Sequence, residues 1–228
     1  MTGIVIQARM GSTRLPGKVL MKIGDRDLLG HILDRLKLLK VMDCQVVVAT
    51  SIERQDDEIE RFCQKEGVPC FRGSEKNVLE RYWLCARQYQ FDNIVRLTAD
   101  NPFIDIEELE HLILFHSTEA ADYSYSDTEL PVGMGAEIFS MDALSKTMKK
   151  ANKDNHFEHV DDYILENKNQ FKCRKLDVDQ KKIHPEISFT IDTVEDYKKA
   201  CYIAEHALNK YFGVLEACDI YYKFGLGM

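Results

Sequence analysis

Arg9, Arg14 and Lys18 fall within a ten-residue stretch, interleaved with Gly11, Ser12, Thr13 and Gly17. Glycine lets backbone N–H groups turn toward an anion, and guanidinium and ammonium groups can surround it. The composition is that of a polyphosphate cradle. It is not an ordinary P-loop: five residues separate Gly11 from Gly17, and Val19 follows Lys18 where a magnesium-binding hydroxyl would stand. Nor is it a dinucleotide fingerprint, and the other glycine pair, Gly133-Met134-Gly135, lacks the third glycine. A solvated basic loop is the plain alternative.

Two aspartates suit the same anion. Asp100 lies in Thr98-Ala99-Asp100-Asn101-Pro102, directly after an apolar run. Proline imposes an extended conformation on the residue before it, which places the carboxylate to hold a hard cation beside phosphate oxygens; a turn or helix-cap role is the alternative. Asp192 repeats the arrangement after Ile191, although Thr193 and Asp196 can also form a simple capping pair. His156 and His159 lie three apart, but no third ligand completes a zinc set.

These residues need a scaffold that brings strand ends together. Residues 3–6 read as a buried parallel strand, 27–40 as an amphipathic helix, 44–50 as a second buried strand, 56–66 as a helix and 68–71 as a third strand. A β-α-β-α-β run before residue 75 predicts an open, mostly parallel sheet flanked by helices, with ligands at the carboxyl ends of its strands. Residues 74–89 read as a helix capped by Ser74, 93–97 as a strand, 106–116 as a helix and 122–126 as a strand. The glycine-rich stretch 131–139 suggests a loop and strand approaching a second substrate, with Glu137 facing it; a solvated position or a dimer contact are the alternatives for Glu137. Helices follow at 142–152 and 157–167, strand-like runs at 171–178 and 187–191, and a helix at 195–211. The 212–228 tail is too short for a second domain, so 1–228 is expected to form one.

A formal charge of −8 disfavours a general nucleic-acid binder, although local cations can hold one nucleotide. Seven cysteines without a C-x-x-C pair suit reduced, mostly buried thiols in a cytoplasm. No stretch has the pattern of a leader or the roughly eighteen apolar residues of a membrane span, so a cytoplasmic protein without membrane attachment is expected.

The stretch Gln7-Ala8-Arg9-Met10-Gly11-Ser12-Thr13-Arg14-Leu15-Pro16-Gly17-Lys18 resembles the N-terminal signature of the cytidylyltransferases that activate sugars as CMP conjugates, the acylneuraminate and KDO superfamily, and most nearly its spore-coat-polysaccharide branch. Residues 71–82, 96–105, 158–160 and 190–196 match further stretches, so the resemblance runs nearly end to end. It implies a Rossmann-like α/β fold of the GT-A nucleotidyltransferase type and transfer of CMP from CTP to an acidic sugar or sugar phosphate in surface polysaccharide synthesis, with pyrophosphate released. It implies that Arg9, Arg14 and Lys18 clamp the pyrophosphate and that Gln7, Ala8, Gly11, Ser12 and Thr13 seat the nucleotide. Ser74, Asn77 and Arg81 would touch base or ribose, with Asn77 standing where the branch more commonly has Asp. Asp100 and Asp192 would hold Mg2+ from opposite sides of the cleft. His159 would touch the sugar or order its pocket, and a structural histidine is its alternative. Family members often form dimers. A GT-A glycosyltransferase, for which Asp177-Val178-Asp179 fits the D-x-D letters, and a non-catalytic nucleotide-binding protein are the competing readings.

Overall fold

The computed structural model describes residues 1–226. The first strand, β1 (Thr2–Gln7), is apolar and almost wholly buried, as its β-branched sequence requires. A short ribbon, β2 (Lys22–Ile23) and β3 (Arg26–Asp27), turns through Gly24 at φ +64° and leads into α1 (Leu28–Leu36). Then come β4 (Cys44–Ser51), α2 (Asp57–Glu66), β5 (Cys70–Gly73), α3 (Val78–Tyr89) and β6 (Asn93–Thr98). The second half carries α4 (Ile106–Glu119), β7 (Tyr123–Tyr125), β8 (Glu137–Ser140), α5 (Met141–Lys150), the short α6 (Asp154–Glu158) and α7 (Asp162–Glu166), and β9 (Cys173–Lys175). The last two elements are α8 (Val194–His206) and α9 (Val214–Leu226).

Seven strands form one sheet in the order β5-β4-β1-β6-β8-β7-β9, mostly parallel, with β8 antiparallel to both neighbours. The chain fills the β5 edge first and then crosses to the other side of β1 to lay down β6. That reversal opens a crevice between the carboxyl ends of β1 and β6, the place where open α/β sheets take ligands. Register brings Gln7, Ala49 and Thr98 level there. The sheet is covered on one face by α1, α2 and α4 and on the other by α3 and α5, each burying its apolar stripe. A third cluster joins α8, α9 and the apolar side chains of Ile187, Phe189 and Ile191.

Buried polar groups fasten this third cluster to the sheet. Arg35, 2% exposed, donates to the carbonyls of Phe212 at 2.8 Å and Ile104 at 3.3 Å and lies over the Phe212 ring. Asp105 caps α4 through Glu108 N–H and accepts the Val214 amide at the start of α9, both at 3.0 Å.

Several boundaries differ from the sequence reading. Asn77, not Ser74, caps α3: it accepts Glu80 N–H at 2.9 Å, while the Ser74 hydroxyl accepts Asn77 N–H at 3.0 Å. The helix expected over 157–167 breaks into α6 and α7 around an extended His159. Residues 187–191 are not a strand. Their alternating side chains are buried, but their backbone partner is the loop at Val132, which gives one isolated bridge to Ser188. The helix expected over 195–211 stops at His206, and the tail contains α9. Of the seven cysteines, all free, three are buried and four half-buried, fewer than expected. Among the described residues no helix is long and apolar enough to cross a membrane.

Candidate active site

The loop after β1 is closed by one carbonyl: Met10 C=O accepts the amides of both Ser12 and Gly17 at 2.9 Å. Gly17 makes this turn at φ +73°, a conformation costly for a residue with a Cβ. Asp56 fixes the loop from below. It is fully buried, accepts Met10 N–H at 2.7 Å, and holds the Ser51 hydroxyl and amide at the end of β4. Nothing in the sequence marks Asp56 beyond its place ahead of a helix. Asp56→Ala, which strands three donors, is expected to cost about 2–4 kcal/mol, read as a lowered urea midpoint.

The loop lines a cleft of about 290 Å³ with Gln7, Arg9, Ser12, Thr13, Arg14 and Lys18 on one side and Thr98, Asp100, Asn101, Thr190 and Asp192 on the other. Arg9 and Arg14 are exposed at its mouth, whereas Lys18 is buried. The Lys18 ammonium donates to Asp100 Oδ2 at 2.8 Å, Asp192 Oδ1 at 2.9 Å and the Ile191 carbonyl at 2.7 Å. Arg14 pairs with the other Asp192 oxygen at 2.8 Å. Asp100 and Asp192, 92 residues apart, meet because the Asp100 carbonyl accepts the Ile191 amide at 2.9 Å. The Thr193–Asp196 capping box also forms, and it leaves the Asp192 carboxylate turned into the cleft.

The remaining expected nucleotide contacts are spread unevenly. Ala8 is 1% exposed and spends its amide on Ala49, so it packs rather than presents a donor. Gly11 stands where a Cβ would lie 2.8 Å from Gln55 Nε2 and 3.7 Å from a Glu75 oxygen, which brings the Ser74–Glu75 turn alongside the loop. Ser74 itself lines a separate shallow cleft with Glu53 and Glu75. Arg81, 1% exposed, donates to the Ser74 carbonyl at 2.5 Å, and its Nε and Nη2 have no partner among the described residues. Burial, with the charge of Arg9, lowers its pKa. The Gln7 amide oxygen is likewise enclosed and unpartnered.

A second cavity of about 250 Å³ shares Thr98 and Asn101 with the first and is walled by Arg96, Asp127 and Glu137. Asn101 stands between them, donating to Thr98 Oγ1 at 2.9 Å and accepting the Thr190 hydroxyl at 2.8 Å. Gly133, at φ +92°, lets the loop pass this pair; a Cβ there would come within 2.8 Å of Asn101 Oδ1. Glu137 is 4% exposed, and both its oxygens are held, one by Arg96 and one by the Tyr123 hydroxyl. Burial and the neighbouring Glu137 charge push Asp161 up to about 6; the same two causes raise Asp127, but its exposure to solvent weakens the effect there. A charged residue inside the apolar Ile94-Val95-Arg96-Leu97 run was the available signal for this network.

The pKa of Asp161 sets a sign for stability. Raised from 3.8 when folded, its protonated form favours the fold below about pH 4, and that contribution is lost as pH rises through 6. Asp161→Asn is therefore expected to match wild type near pH 4 and to exceed it at pH 7.5 by up to about 3 kcal/mol in urea unfolding.

His159 is exposed and lines neither cavity; its neighbour Asp161 approaches Arg96 at 3.7 Å instead. His156 is buried against Glu166 at 3.1 Å, a structural histidine. Asp177 and Asp179 are exposed outside both cavities, and Asp179 accepts the Lys181 amide at 2.9 Å as a turn cap. The converging carboxylates of Asp100 and Asp192 fit a hard divalent ion, which needs only one or two protein carboxylates when phosphate and water supply the rest. Among the described residues no three His, Cys, Asp or Glu side chains are arranged around one metal position.

The cytidylyltransferase family model matches residues 3–217. The chain belongs to the cytidylyltransferase family. It is 38% identical over 205 residues, 87% of this chain and 85% of the relative, to the spore coat polysaccharide biosynthesis protein SpsF of Bacillus subtilis. The solved structure of a cytidylyltransferase from Leptospira borgpetersenii superposes with a TM-score of 0.90 at 35% identity, covering 99% of this chain and 95% of that one. A CMP:2-keto-3-deoxy-manno-octonic acid synthetase complexed with CTP shares the fold at a TM-score of 0.69 and 18% identity, over 90% and 98% of the two chains. The mostly parallel α/β sheet expected of a nucleotidyltransferase is thus the observed one, with β8 as its antiparallel exception.

Proposed function

We propose that this cytidylyltransferase takes CTP in the cleft beneath the β1 loop and passes its cytidylyl group to a hydroxyl of a sugar held in the adjoining cavity, releasing pyrophosphate. The observation that carries this reading is the convergence of Arg14 and Lys18 on Asp100 and Asp192 at the β1/β6 crevice. In-line displacement at a phosphorus needs little covalent help, so positioning and charge neutralisation supply most of the acceleration. Arg9, Arg14 and Lys18 line one wall of the cleft and would neutralise the departing pyrophosphate. The hydroxyls of Ser12 and Thr13 would orient its oxygens, and Gln7, whose amide oxygen is enclosed and unpartnered, would meet the nucleoside, while the buried Arg81 would act from behind by holding the Ser74 carbonyl. Asp100 and Asp192 would hold Mg2+, which when bound neutralises phosphate charge. Glu137 would fix Arg96 as a wall of the sugar cavity. The name of the relative SpsF, a spore coat polysaccharide biosynthesis protein, supports a surface polysaccharide as the destination of the activated sugar.

The test is pyrophosphate release from the four NTPs with magnesium and a panel of acidic sugars and sugar phosphates. Release with CTP and a sugar, and not with the sugar omitted, is the expected result. Release of a nucleoside diphosphate from a nucleotide sugar would instead make the protein a glycosyltransferase.

A further inference from the structure

Asp100 and Asp192 present four carboxylate oxygens, and the protein's own donors hold all four. Lys18 takes Asp100 Oδ2 and Asp192 Oδ1, the Thr98 hydroxyl takes Asp100 Oδ1 at 2.7 Å, and Arg14 takes Asp192 Oδ2. The Ile191 carbonyl is the third acceptor for Lys18. An ammonium has three protons, so this lysine is saturated, and its side chain is only 8% exposed. Two carboxylates and a backbone carbonyl within 2.9 Å of one point are the donor set of a hard cation.

We propose that Lys18 is the resident cation of the oxygen site that a divalent ion takes during turnover, and that the triphosphate draws Lys18 out as the ion enters. The proposal rests on the cytidylyl-transfer reading. An ammonium, 8% exposed, and a divalent ion that draw on the same oxygens repel one another at close range, and the carboxylates, 26% and 32% exposed, leave that repulsion only partly screened. Lys18 also cannot simply step aside, because a buried ammonium stripped of its acceptors is strongly unfavourable. It leaves only for another anion, and the cleft it lines is the one that would receive the phosphates. Arg14, with a side chain 63% exposed, releases Asp192 at little cost. The consequence is obligatory coupling. The protein without nucleotide binds divalent ions weakly, and nucleotide admits them by removing their competitor.

Two measurements test this. In the first, electron paramagnetic resonance counts Mn2+ bound to the full chain without nucleotide, in wild type, Lys18→Met and Lys18→Arg. Lys18→Met is expected to bind on the order of tenfold more tightly than wild type, while Lys18→Arg, which keeps a competing cation, stays close to wild type. Equal affinity of wild type and Lys18→Met overturns the proposal. The second uses wild type alone, so it stands even where a variant does not fold. Proton–nitrogen NMR of the lysine ammonium groups is expected to show a slowly exchanging Lys18 signal that persists when Mg2+ is added by itself. It should move when Mg2+ is added with a CTP analogue carrying an α,β-methylene bridge. A signal that stays in place with both ligands bound overturns the exchange. Turnover of CTP alongside unchanged Mn2+ affinity rejects the exchange and spares the transfer reading; absence of nucleotide binding rejects both.

Discussion

Lys18→Met is expected to lower the turnover of CTP by roughly 10²- to 10³-fold, about 3–4 kcal/mol of transition-state stabilisation. The magnitude is that of removing one preorganised donor from the position where charge develops, in a site where Lys18 is 7% exposed and held by three acceptors. Arg14→Ala should fall in the lower part of the same range, because its guanidinium stands largely in water and is screened there. Steady-state pyrophosphate release at saturating CTP separates the two effects. A clamp that acts on the leaving group lowers kcat, whereas a residue that only helps CTP to bind raises KM and leaves kcat unchanged. Near-normal kcat in both variants would remove the cations from the chemistry.

Much of this arrangement was legible in the sequence because it is written in short stretches. A buried strand followed by glycines and cations identifies itself through β-branched residues and turn residues at fixed offsets, and the Asp100 turn after β6 does the same. What could not be read was how distant segments would meet. Asp56 looks like an ordinary helix-start residue, yet its carboxylate pins Met10 across 46 residues. The pairing of Arg96 with Glu137 spans 41 residues and depends on the antiparallel register of β6 and β8, which no local pattern announces.

The misread segments fail for a related reason. Ile187, Phe189 and Ile191 alternate as a strand does because alternation reports burial on one side. Strand character also requires a hydrogen-bonding partner, and here the partner is an irregular loop. His159 looked like a site residue through its neighbours, but the break between α6 and α7 turns it outward and brings Asp161 to Arg96 instead. Ser74 lost its cap role to Asn77 because the chain makes one further turn before entering α3.

Asp100→Asn is expected to abolish the divalent-dependent part of CTP turnover while the fold survives. In the resting protein the carboxylate shares Lys18 with Asp192 and accepts the Thr98 hydroxyl, so its removal leaves Lys18 with Asp192 and the Ile191 carbonyl. Partly exposed, with 26% of its side chain open to solvent, it should cost only about 1–3 kcal/mol of stability, within the margin of an ordinary domain. The functional cost is larger because a hard ion held by one carboxylate instead of two loses both charge and geometry. A magnesium titration of turnover reads the difference: wild type should rise and saturate, whereas Asp100→Asn should stay near its metal-free level with an unchanged circular dichroism spectrum. Asp192→Asn, which likewise leaves a single carboxylate, should show the same flat titration and in addition free Arg14 from its partner. A normal titration in Asp100→Asn would move the metal away from the β1/β6 crevice and leave the carboxylates with the single task of holding Lys18.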